Sequence, residues 1–105
     1  MNVIRLAPGE FREKLIEAPG TILDVRTPAE YEGGHLEGST NLDFLGGVFG
    51  QEFENLDKNQ TYYLYCGSGN RSGKSAQLMV DAGFTAAYNV GGFQELASAG
   101  FPVDY

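Results

Sequence analysis

The stretch YLYCGSGNRSGKS, residues 63 to 75, holds the one cysteine of the chain, Cys66. An apolar run ends on it, and a loop of small residues follows. Gly67, Ser68, Gly69 and Asn70 separate Cys66 from Arg71, and Ser72 comes next. Glycines at 67 and 69 can take positive φ, which lets a loop curl so that its backbone N–H groups face inward. A helix starting after the loop presents its N-terminus, with roughly half a positive charge, to the same place. Arg71 adds a full charge, and Lys74 stands nearby. Such surroundings favour a thiolate at Cys66 over a thiol of pKa about 8.5. Each unit of lowering corresponds to about 1.4 kcal/mol. One ring of donors can then serve both the thiolate and an incoming anion. A buried cysteine acting as a small hydrophobe is the plain alternative; the glycines, the arginine and the helix start weigh against it.

The elements that must position this loop follow from alternating patterns. Val3 to Leu6 and Thr21 to Val25 are expected strands, with a helix from Gly9 to Glu17 between them. Thr27-Pro28-Ala29-Glu30 matches a capping box with proline at the first helical position, and Gly33-Gly34 ends that helix. Residues 40 to 42 form a weak strand; residues 44 to 56 are glycine-interrupted and read as loop with some helix. Thr61 to Cys66 is the strongest strand. Ser72 to Ala82 is an expected helix ended by Gly83. Ala86 to Val90 is a last strand, and Gly91-Gly92 turns into a helix over Phe93 to Ser98. Short connections between alternating elements predict an α/β domain with a mainly parallel sheet covered on both faces. In such sheets ligands bind beyond the carboxyl ends of the strands, where Cys66 stands.

Composition bounds the rest. The 105 residues fit a single domain, expected over 1–105, and 42% hydrophobic content supports a packed core. One cysteine excludes an internal disulfide framework. One cysteine with one histidine, His35, argues against a zinc site, and neither metal nor cofactor is expected. A net charge of −7 argues against nucleic-acid binding. None of the fourteen acids falls between Lys58 and Val80, the window that holds Cys66. No run approaches the roughly 18 apolar residues of a membrane span, and MNVIRLAPGEF lacks a signal-peptide core. A cytoplasmic protein that binds no membrane is the expectation; oligomeric state is not legible.

Three loop types compete around Cys66. A P-loop needs glycine where Ser68 stands, with four residues between it and Gly73-Lys74-Ser75. Cysteine-dependent phosphatase loops carry one residue more between cysteine and arginine. The shorter loop resembles that of the rhodanese-like sulfurtransferases. LDVRTPAEYEGGHLEGSTNL resembles the first motif of that family, with Asp24, Arg26, Glu30, Gly34-His35, Gly38 and Asn41 at matching places. YLYCGSGNRS resembles its active-site loop, and VGGFQELASAGFPV its C-terminal motif. Together they make the chain similar to a single-domain rhodanese over nearly its whole length. Three departures stand out: Gly67 where larger residues are common, Asp43 in place of proline, and Leu96 in place of tryptophan.

The resemblance implies about five parallel strands with helices on both faces. It also implies transfer of a sulfane sulfur from thiosulfate or a persulfide donor to a thiol or cyanide acceptor, through a persulfide on Cys66. Gly67, Ser68, Gly69, Asn70, Arg71 and Ser72 would hold the small anionic substrate. Asp24 and Arg26 either support the loop or form an internal salt bridge. His35 reads as a structural hydrogen-bonding residue. A non-catalytic module of the same fold, binding a partner or sensing redox state, is the competing reading. A phosphatase or arsenate reductase is a third.

Overall fold

The computed structural model describes residues 3–105; the first two positions of the expected 1–105 domain lie outside the described residues. Five strands form one parallel sheet: β1 (Ile4–Arg5), β2 (Thr21–Asp24), β4 (Thr40–Asn41), β5 (Thr61–Cys66) and β6 (Ala86–Gly92), in the order β1-β6-β5-β2-β4. From β2 the chain steps outward to β4, then returns to the other side of β2 for β5 and β6. The change of direction therefore falls between β2 and β5, and Cys66 ends β5 there. This is where an open α/β sheet leaves a crevice.

The TYYLYC run shows why the sheet sits as it does. Side chains alternate between faces along a strand. Tyr62, Leu64 and Cys66 join one cluster with Leu23, Val25, Phe49, Met79 and Phe84. Tyr63 and Tyr65 join the other with Phe11, Leu36, Val90 and Leu96. The first face is covered by α3 (Val48–Glu52), a short 3₁₀ turn (Phe53–Asn55) and α4 (Asn70–Asp81). The second is covered by α1 (Pro8–Glu17) and α5 (Phe93–Ser98). Full burial of one such side chain contributes about 1.5–3 kcal/mol. The tyrosines are sheet residues whose hydroxyls find backbone or acid partners: Tyr62 donates to Asp57 O and Tyr63 to Ala18 O.

The capping box at α2 (Pro28–Glu32) forms as expected: Thr27 Oγ1 accepts from Glu30 N at 3.3 Å, and Glu30 Oε1 accepts from Thr27 N at 3.1 Å. The end of α4 is a Schellman turn. Phe84 N donates to Met79 O and Gly83 N to Val80 O, with Gly83 at φ 96°. Asp43 opens the turn before α3, accepting from Gly46 N at 3.0 Å through its side chain. Leu96 is fully buried in the second cluster.

Three features differ from the sequence reading. The helix α4 begins at Asn70 rather than Ser72, because Gly69 at φ 97° makes the turn into it. Asn70 and Arg71 carry no apolar signal, so periodicity places the start too late. Strand β6 runs on through Gly91 and Gly92 instead of stopping at Val90. A bulge there lets Tyr65 pair with Gly91 and Cys66 with Gly92, although Leu64 pairs with Asn89. Finally, β3 (His35–Leu36) pairs antiparallel with β7 (Val103–Asp104) in a separate ribbon. Their pairing joins segments far apart in the chain, which no local pattern foretells. Among the described residues no helix is long and apolar enough to cross a membrane.

Candidate active site

Cys66 is 1% exposed, yet the loop above it is surface: Gly67, Ser68 and Asn70 are exposed. The sulfur lies under a curled backbone whose donors point at it. Gly69 N–H donates to Sγ at 3.0 Å, and Ser72 Oγ lies 3.4 Å from it. The amides of Ser68 and Ser72 face it as well. The Ser72 amide belongs to the first turn of α4, whose N–H groups have no partner within the helix. Burial pushes the Cys66 thiol up more than any other single influence. The Ser72 hydroxyl and the amides of Ser72, Ser68 and Gly69 together outweigh it and hold the thiol below its ordinary range. The thiolate character expected from the loop thus has a geometric cause.

The two loop glycines serve different ends. Gly69 takes the left-handed conformation, as expected. Gly67 does not; its lack of a side chain leaves room, since a Cβ there would stand 3.1 Å from Arg71 Nη2. Gly92 has a third role. A Cβ on it would lie 2.6 Å from the Gly67 carbonyl oxygen and 3.2 Å from Ser68 Cα. The last strand therefore presses directly on the loop, and only glycine permits the approach. Gly92→Ala is expected to cost about 1–3 kcal/mol of stability and to slow any reaction of Cys66 by about ten- to a hundredfold through a displaced loop. Thermal unfolding and the alkylation rate of Cys66 check it.

Arg71 is not a free cation. Its guanidinium makes a two-pronged pair with Glu30, Nη1–Oε1 at 2.7 Å and Nη2–Oε2 at 3.1 Å. Arg71 is held charged first by that bond and also by the Cys66 sulfur. Arg71 holds the Glu30 carboxyl down at about 2; burial opposes this, and the Thr27 bonds assist. The carboxylates absent along the sequence near Cys66 thus return in space through Glu30, which caps α2 and braces α4 at once. No sequence signal joins residues 30 and 71.

Asp24 and Arg26 pair with each other on the opposite face. Arg26 Nη2 donates to Asp24 Oδ2 at 2.7 Å and to Gly34 O at 2.7 Å, and both side chains are buried. Tyr65 OH donates to the same carboxylate oxygen at 2.7 Å. Tyr65 points away from the face that holds Cys66, so the pair braces the end of β2 rather than meeting the sulfur. His35 Nδ1 bonds Tyr31 O at 2.8 Å, and its ring stacks on Tyr31. Ser68 and Asn70 lie at the exposed rim.

Asn89 is the residue sequence reasoning missed. It is 6% exposed on β6, and its carboxamide bonds Gly69, Ser72 and Gly91. A polar amide inside a strand, just before two glycines, was the available signal.

Residues 7–99 match the rhodanese-like domain model. The chain belongs to the rhodanese-like family. Among its relatives, the YqhL protein of Bacillus subtilis is 36% identical over 91 residues, covering 86% of this chain and 69% of that one. The thiosulfate sulfurtransferase PspE of Escherichia coli is 31% identical over 75 residues, covering 71% of this chain and 72% of that protein. A crystal structure of a rhodanese-related protein from Thermoplasma volcanium superposes with a TM-score of 0.80 at 25% identity, over 96% of this chain and 97% of the other. The parallel five-stranded sheet of this rhodanese-like domain, with helices on both faces, agrees with the fold expected from its motifs.

Proposed function

We propose that this rhodanese-like domain is a sulfurtransferase working through a persulfide on Cys66. The carrying observation is the ring of N–H and O–H donors from Ser68, Gly69 and Ser72 around Sγ. It stabilises a nucleophilic thiolate without a histidine base. In the first step the Cys66 thiolate attacks the outer sulfur of thiosulfate. The S–S bond to the sulfonate breaks, sulfite leaves with the bonding electron pair, and Cys66 carries a persulfide anion. In the second step cyanide, or an acceptor thiolate, attacks the terminal sulfur. Thiocyanate or a new persulfide departs, and the Cys66 thiolate returns. Charge and sulfur balance in each step, and no oxidant is needed. A persulfide donor enters the first step in the same way, with a thiolate leaving in place of sulfite. The same donors that hold the thiolate can hold the charge on the terminal sulfur. The names of relatives such as PspE support thiosulfate as one donor.

In this reading Gly67, Ser68, Gly69 and Ser72 line the anion site, Asn70 sits at its rim, and Arg71 lends charge while tied to Glu30. Asp24 and Arg26 form an internal salt bridge that holds the end of β2, and they act on stability rather than on the sulfur.

Mixing the protein with thiosulfate and cyanide should yield thiocyanate; no turnover with any sulfane donor would sink the proposal. The rate should also fall as pH falls through the thiol pKa of the folded protein, which the surrounding donors hold below its ordinary value. A rate that rises as pH falls through that range contradicts thiolate attack.

The burial of Cys66 at 1% exposure favours one alternative, a partner-binding or redox-sensing module with a reserved thiol. A Cys66 that stays unmodified by sulfane donors yet reacts with peroxide would support it.

A further inference from the structure

The Ser72 hydroxyl has one proton and two acceptors. Asn89 Oδ1 lies 2.7 Å from Ser72 Oγ, whereas Cys66 Sγ lies at 3.4 Å. The orientation of the Asn89 amide is dictated by its other partners. Gly69 O can only accept, so it faces Nδ2 at 3.0 Å; Gly91 N–H can only donate, so it faces Oδ1 at 3.1 Å. Oδ1 cannot donate, so Ser72 must donate to it. With Sγ protonated, the thiol can donate to Ser72 Oγ, whose own proton stays on Asn89. With Sγ ionised, the hydroxyl turns toward sulfur, and Oδ1 keeps only the Gly91 bond. The thiol proton itself goes to solvent.

We propose that Asn89 is a positioning residue that competes with Cys66 for the Ser72 proton, holding it when Sγ is uncharged and yielding it when Sγ is an anion. This deepens, and rests on, the sulfur-transfer reading. The cycle passes between those two states. Sγ is anionic before attack; once the persulfide forms, the charge moves to the outer sulfur and Sγ becomes a neutral bridging atom. The Ser72 proton then returns to Asn89 without leaving the site. The bond from Nδ2 to Gly69 O also fixes the residue whose N–H meets Sγ.

The charged groups around the loop are Arg71 on α4, Glu30 on α2, Arg5 on β1 against Gly69, and Glu95 on α5 paired with Arg5. All stay constant in the following experiment, so their effects cancel. Ser72→Ala is made in three settings, and the thiolate fraction is read from the pH dependence of alkylation by iodoacetamide. In the otherwise native chain, Ser72→Ala should lower that fraction about threefold at fixed pH. In an Asn89→Leu chain the hydroxyl serves sulfur alone, and the loss should grow to about tenfold. In an Asn89→Asp chain a carboxylate keeps the proton, and the loss should shrink below about twofold. Any other order overturns the proposal, as does an equal loss in all three, which a purely structural Asn89 would give.

Should the Asn89 variants fail to fold, the wild type still decides. The Gly91 amide proton resonance should shift with the titration of Cys66, and the shift should shrink in Ser72→Ala, where only the direct field of the sulfur remains; a shift undiminished there overturns the switch. Alkylation needs no sulfur donor. An absence of turnover would therefore sink the sulfurtransferase reading and leave this order standing, while the wrong order would sink the switch alone.

Discussion

Cys66→Ser is expected to abolish sulfur transfer to background while leaving the fold in place. A serine oxygen fits under the same amides, so stability should change by no more than about 1–2 kcal/mol. It cannot carry a sulfane sulfur. The comparison also has a pH signature. The folded thiol pKa lies below the unfolded one, so the unfolded chain binds more protons between the two values. Wild-type stability relative to Cys66→Ser should therefore rise with pH from the folded thiol pKa up to about 8.5 and then level off. Lowering the pH through the same window removes that contribution. Chemical denaturation across the pH range reads this directly. A stability difference that shrinks as pH rises would mean that the backbone donors do not favour the anion.

The second large effect concerns stability rather than chemistry. Arg26 meets Asp24 through Nε and Nη2, bonds the Gly34 carbonyl, and lies 4.4 Å from the centre of the Phe93 ring. Arg26→Ala would leave the Asp24 carboxylate fully buried with its countercharge gone. Losing one partner of a buried pair costs about 3–5 kcal/mol, against a total of roughly 5–15 kcal/mol for a domain of this kind. A lowered unfolding midpoint and poor soluble yield at 37 °C are expected. The double variant Asp24→Asn with Arg26→Met leaves no lone charge and should cost less than Arg26→Ala alone. The pair faces away from the sulfur, so the folded fraction of either variant should react with iodoacetamide at close to the native rate. A Cys66 that becomes inert in a well-folded Arg26→Ala protein would instead make Arg26 part of the chemistry.

The strands and most helices were legible because their side chains repeat with the period of the element. TYYLYC alternates between two cores, and its bounds, Thr61–Cys66, match the expected strand. The curl of the loop was legible for another reason: a glycine shortly after a strand end can take the positive φ that Gly69 adopts in turning into α4. What the sequence hid was tertiary. Glu30 signals a helix cap, and nothing in its neighbourhood foretells Arg71. Gly67 and Gly92 look like turn residues; one leaves space for an ion pair and the other admits a backbone oxygen. The Gly91-Gly92 pair read as a turn continues a strand past a bulge, because the ladder to Cys66 outweighs the low strand preference of glycine. The role of Asn89 is not local: two of its three partners, Ser72 and Gly69, lie 17 and 20 residues earlier in the chain.

Sulfur transfer by this domain depends on Cys66 becoming a covalent sulfur carrier. Intact-protein and peptide mass spectrometry after incubation with thiosulfate or glutathione persulfide, without reductant, tests this most directly. One added sulfur atom is expected, located on the peptide containing Cys66 and removed by cyanide with release of thiocyanate. An unmodified Cys66 after exposure to both donors, in a protein shown to be folded, would contradict it.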